Sequence, residues 1–172
     1  MGKINITRSL IYGLIGGLVS TAVMDLLSLA VFTITGGSLP SFFALIGRTI
    51  LTLLGIYVDF PLWQGLVMHY SIGILLGLFL SIACQMIQIV RFNTRWKSML
   101  ISVLTIEVIG IILFYLMSVI LNIAQSEMMI IYISGIFLHG IGGIILGLIL
   151  YYSQYKKATH PVIHQPQEKQ FK

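Results

Sequence analysis

The sequence predicts an all-α integral membrane protein: a four-helix bundle built as two tandem two-helix repeats, with one further interfacial or re-entrant helix. Three observations carry this. The chain is 58% hydrophobic and only 9% charged, whereas soluble domains carry about 25% charge. Its mean hydropathy is +1.00, and several apolar runs exceed the roughly 20 residues that cross a bilayer. Third, one apolar pattern occurs twice. Gly65 to Leu80 reads GLVMHYSIGILLGLFL, and Gly135 to Leu150 reads GIFLHGIGGIILGLIL. The two align without a gap on the skeleton G-x3-H-x3-G-x3-G, which sets Gly65, His69, Gly73 and Gly77 against Gly135, His139, Gly143 and Gly147. Residues four apart share a helix face, so each copy places a histidine in a row of glycines.

The first span is predicted over Leu10 to Ile34. The basic segment before it resembles the start of a signal peptide, but the apolar run is too long and lacks a cleavage site. One face carries Gly13, Gly17, Thr21 and Asp25. Small residues at this spacing let a second helix backbone approach closely, so Asp25 is expected to face protein. Gly36-Gly37-Ser38-Leu39-Pro40 is a turn signal. Ser41 to Tyr57 is apolar but short and is interrupted by Arg48. A full crossing would put Arg91, Arg95 and Lys97 opposite Arg8, against the positive-inside rule. This segment is therefore expected to lie in the outer interface or to re-enter it, with Arg48 snorkelling to headgroups.

The second span is predicted over Leu62 to Val90, the third over Met99 to Ile123 with Glu107 inside it, and the fourth over Met128 to Tyr152. Arg91, Arg95 and Lys97 mark a cytoplasmic connector, while the acidic AQSE connector suits the outer side. Both termini are then cytoplasmic, in the cell (inner) membrane, and residues 154–172 form a polar, disordered tail. His160 and His164 in that tail are separated by Pro161 and are expected to be solvated. Cys84, the single cysteine, is expected to act as a small buried hydrophobe.

Depth follows from a rise of roughly 1.5 Å per residue. On that scale Asp25 and His69 share one level and Glu107 and His139 another, about 6 Å apart along the helices. Intramembrane acids are costly and usually functional. Asp25, His69, Glu107 and His139 are therefore the candidate polar centre, supported by Thr21 and Tyr70, with the glycine rows as packing faces. Proton- or ion-linked transport of a small solute is the leading reading, because intramembrane acids and histidines are the usual relay groups. A metal site drawn from His69, His139, Asp25 and Glu107, a haem held by His69 and His139, and a structural subunit without chemistry stay open. No cofactor is expected. The bilayer is the expected partner, a homo-oligomer is compatible, and a net charge of +5 spread over helix ends and tail does not point to nucleic acid. No phosphate-binding loop, nucleophile elbow or dinucleotide fingerprint occurs, so no enzyme activity is expected.

Four segments together resemble a family of small four-span prokaryotic membrane proteins of unknown function. They are Gly17 to Asp25 (GLVSTAVMD), Ala44 to Arg48 (ALIGR), Met68 to Gly73 (MHYSIG), and His139 to Gly147 with its spaced glycines. More distantly the chain resembles the YagU-like inner-membrane proteins associated with acid resistance, departing from their pattern at Asp25. The resemblance spans most of residues 10–152 and implies a fold and a location.

Overall fold

The computed structural model describes residues 6–35, 38–57, 59, 61–86, 94–123 and 125–155. Five helices account for nearly all of them: α1 (Ile6–Thr35), α2 (Leu39–Leu53), α3 (Leu62–Met86), α4 (Arg95–Leu121) and α5 (Gln125–Tyr155). Four of these, α1, α3, α4 and α5, are long and apolar enough to cross a membrane. They are apolar around their whole circumference, as membrane-crossing helices are. By contrast, α2 is amphipathic.

The ends of α2 and α4 depart from the expected limits by a few residues because caps, not hydropathy, set them. Thr94 accepts the Lys97 amide at 3.2 Å and starts α4 at Arg95, four residues before its apolar run. Asn122, at φ 50°, ends it in the left-handed conformation. Ser38 caps α2, with Pro40 in its first turn. The helix stops at Leu53, short of Tyr57, because Gly55 takes φ 71°. The Ile56 amide then donates to Leu51 O at 2.8 Å and the Gly55 amide to Thr52 O at 3.0 Å, which together make a Schellman motif. The turn Gly36-Gly37, Arg91, and the tail from residue 156 with His160 and His164 lie outside the described residues.

The helices pack as two antiparallel pairs, α1 with α3 and α4 with α5, joined through α1 against α5. The fifth helix, α2, lies against α3 and α4. Close approach explains the pairs. A Cβ at Gly13 would lie 2.7 Å from Gly77 O, and one at Gly17 would overlap Gly73 O. On the other side, a Cβ at Gly143 would lie 2.6 Å from Val103 Cα, and one at Gly147 2.7 Å from Met99 Cα. Neither pair tolerates a side chain at these positions. Interhelical hydrogen bonds fix both. Ser81 Oγ donates to Ser9 O at 2.7 Å, and Ser98 Oγ donates to Gly147 O.

The two pairs use equivalent positions. Ser98 stands to Gly147 as Gly13 stands to Gly77, a register of 85 residues between α4 and α1. The α1 row Gly13, Gly17, Thr21, Asp25 therefore corresponds to the buried α4 row Ser98, Ser102, Ile106, Gly110.

Arg8, Arg95 and Lys97 define one end of the bundle; Arg8 lies over the Tyr12 ring and Arg95 over the Tyr151 and Tyr152 rings. The other end carries exposed Arg48, Tyr57 and Trp63. A buried cluster of Leu80, Cys84, Ile106, Leu146 and Leu150 fills the core toward the basic end. A second cluster, Phe114 and Met117 with Phe42, Leu45, Ile46 and Tyr132, ties α2 to α4 and α5 at the other.

Gly17→Leu is expected to destabilise the protein by more than the roughly 1–3 kcal/mol of ordinary overpacking, because the obstacle is backbone on both sides. Gly140→Ala, whose added Cβ meets nothing closer than 3.9 Å, is expected to stay within about 0.5 kcal/mol of wild type. Thermal unfolding of the two variants in one detergent checks the contrast.

Candidate functional site

Between the two buried clusters lie two adjoining cavities of about 80 Å³ and about 20 Å³. Met24, Phe42, His69, Phe114 and His139 belong to the walls of both. Thr21 and Thr49 add hydroxyl groups to the larger, and Asp25, Ser28 and Ser134 line the smaller.

The glycine contact of α1 with α3 sets the first half of the site. It places His69 Nε2 3.2 Å from Asp25 Oδ1. Both side chains are largely enclosed, at 16% and 13% exposure. The contact is a close electrostatic approach, and His69 Nε2 makes no hydrogen bond. The Tyr70 side chain lies within electrostatic and hydrogen-bonding reach of the same carboxylate. The α2 helix supplies the outer wall: Phe43 and Phe42 meet the His69 ring edge-on at centroid distances of 5.6 and 6.3 Å. Three buried polar atoms here have no hydrogen-bond partner: Thr21 Oγ1, Asp25 Oδ2 and His69 Nε2. Thr21 is 1% exposed, and its hydroxyl is pressed against Gly73, where no Cβ would fit.

The second half is built differently. His139 stacks on Phe114 at 5.8 Å, with the rings 26° apart. Its imidazole fills the space that a side chain on Gly110 would take. The position that holds an acid in α1 holds a glycine in α4. Glu107 lies three residues away, half-buried over Gly140, and lines neither cavity. Of the four polar-centre candidates the structure thus groups Asp25, His69 and His139 and sets Glu107 apart. The packing glycines Gly13, Gly17, Gly73, Gly77, Gly143 and Gly147 lie on helix–helix contacts; Gly65 meets the Phe43 carbonyl of α2 and Gly135 the Phe114 ring.

The α2 aromatics Phe42 and Phe43, Met24, Phe114 and Gly110 are site residues that sequence reading missed. One had a visible signal, since Gly110 is the only glycine in α4. Among the described residues, no three His, Cys, Asp or Glu side chains are grouped as a metal site. The larger cavity is also far below the roughly 300–1,000 Å³ of pockets that take cofactor-sized ligands. Comparison with protein-family models, curated proteins and solved structures finds no significant match.

Gly110→Ala is expected to displace the His139 ring and leave His69 in place. In histidine ¹⁵N spectra of the detergent-solubilised protein, the His139 signals should move and the His69 signals should not. A Tm loss equivalent to about 1–3 kcal/mol should accompany the shift.

Proposed function

We propose that this is an inner-membrane protein that moves a proton or small ion, linked to a small solute, through the site formed by Asp25, His69 and His139. The observation that carries the reading is the Asp25–His69 contact on the wall of an intramembrane cavity that His139 also faces. Charge is expensive inside a bilayer, so the favoured state of the Asp25–His69 pair is the one with zero net charge. That state holds a single exchangeable proton, on the carboxyl or on the imidazole. Gaining or losing one proton changes the net charge by one unit, which is the elementary act of proton-linked movement. Histidine does this near neutral pH more readily than any other side chain.

The bundle reads as two tandem copies of a helix pair, related by an axis along the membrane normal. The shared histidine pattern and the shared contact register support this. Only the first copy retains an acid opposite its histidine, so Asp25–His69 is the proton-carrying half. His139 is the second station, and Glu107 is outside the path. Arg8, Arg95 and Lys97 at one end support a cytoplasmic position for that end and for both termini, with α2 at the outer interface.

In proteoliposomes under an imposed pH gradient, wild type should speed internal pH equilibration, read by an entrapped dye. Asp25→Asn and His69→Gln should abolish the effect, while Glu107→Gln should retain it. If Asp25→Asn equilibrates like wild type and only melts lower, the pair is interhelical glue and the transport reading fails. Orientation is tested separately in a Cys84→Ser background. Arg95→Cys should react with a membrane-impermeant maleimide only from the cytoplasmic face, and Trp63→Cys only from the outer face.

A further inference from the structure

The unpartnered atoms of the cavity describe the ligand that would suit them. Asp25 Oδ2 is an acceptor and carries charge. Thr21 Oγ1 can accept. His69 Nε2 accepts when the imidazole is neutral with its proton on the other nitrogen. All three are buried without a hydrogen-bond partner, and Thr21 is 99% enclosed, on the cavity wall. Leaving such groups unmatched is costly. The remaining wall of the smaller cavity includes the rings of Phe32, Phe42 and Phe114, and aromatic rings attract cations. The Asp25 carboxylate, His69 and three phenyl rings around about 20 Å³, with Thr21 on the adjoining cavity of about 80 Å³ that His69 also lines, fit a very small cation rich in N–H donors. An anion would meet Asp25, and a metal ion would find too few ligands.

We infer that the cavity is a binding site for ammonium and small primary ammonium ions, held by Asp25, Thr21 and His69 within the phenylalanine wall. This rests on the proposed transport reading and names its substrate class. Charge balance then defines the exchange. The pair with one proton is neutral. When an ammonium ion docks, that proton leaves, and the site stays neutral with Asp25 as carboxylate and His69 as neutral imidazole. One cation enters and one proton departs, released from the imidazolium N–H or the carboxyl O–H to water, and no covalent bond of the ammonium ion is made or broken. The other titratable groups facing this pair are Tyr70 on α3 and His139 on α5. The cavity walls contributed by α2 and α4 carry no charged side chain. Cation and proton therefore compete, and binding should strengthen as pH rises.

The test is calorimetric titration of the nanodisc-reconstituted protein with methylammonium chloride at about pH 6 and about pH 8, the range in which histidine titrates. Saturable binding, tighter at the higher pH, is expected. Asp25→Asn should abolish it. Thr21→Val, which keeps charge and volume, should weaken it roughly tenfold, the scale of one hydrogen bond to a charged partner. Tetramethylammonium has the charge but no N–H donor and should not bind. Absence of saturable methylammonium binding to wild type, equal binding to the Asp25→Asn protein, or tetramethylammonium binding as tight as methylammonium would each overturn the inference. Should Asp25→Asn fail to fold, Thr21→Val decides by the same titration. Loss of this inference is distinguishable from loss of the transport reading. Asp25-dependent pH equilibration without methylammonium binding leaves transport standing, and methylammonium binding without equilibration leaves the site standing.

Discussion

Everything in this structure depends on two helices touching through their backbones. In a bilayer the hydrophobic effect does not press helices together, because lipid tails are as apolar as leucine. Packing must come from close fit, and at Gly13, Gly17, Gly73 and Gly77 the fit is backbone on backbone. A helix pair this close leaves no room for long side chains between its axes. It does bring the next residues along the same faces within contact range, and these are Asp25 and His69. The contact that holds α1 to α3 is thus also the device that positions the polar pair, and a residue at Gly17 should influence Asp25 without touching it.

The two halves of the bundle show what the same scaffold does with and without an acid. In both, a histidine stands one turn beyond the glycine contact on the second helix of the pair. Opposite His69 is a carboxylate; opposite His139 is Gly110, and the ring lies flat on Phe114. One imidazole is held by charge and the other by shape. A histidine held by shape keeps its nitrogens for other partners.

The legible parts of the fold were those marked by glycine or charge. The four spans, the α2 segment and the glycine faces of α3 and α5 could be read directly, because their signals are residue types that lipid-facing helix positions do not need. The level shared by Asp25 and His69 followed from counting residues. The partner of His139 did not. Counting residues set Glu107 level with His139, whereas the structure sets Gly110, three residues on, against that histidine. In α4 the buried and lipid-facing sides are equally apolar, so hydropathy cannot orient the helix. Only its small residues can, and two of them, Ser98 and Ser102, are serines that read as ordinary polar positions near a helix start. The α2 aromatics were hidden for a related reason. A phenylalanine on an amphipathic helix has the same composition whether it faces acyl chains or a histidine.

The position of α2 follows from its own chemistry. Its 15 residues span about 22 Å, too short to cross the roughly 30 Å of hydrocarbon upright. Of its buried positions, Phe43, Gly47 and Leu51 recur every four residues and Thr49 lies beside them, and Gly47 lets the helix lie directly on Pro61 at the start of α3. Arg48 points away from that face and is exposed. It is thus a helix with one packed face and one charged edge. Its inner face supplies Phe42, Ile46, Thr49 and Ile50 to the cavity wall. Removing that wall would leave the Asp25–His69 pair open toward the gap between α3 and α4, the one place in the ring of spans where helix packing is sparse. The short helix therefore covers an ionisable pair that four spans alone do not enclose. How α2 sits on α3 is fixed by the backbone contacts at Gly47 and Gly65 and by Phe43 against the His69 ring.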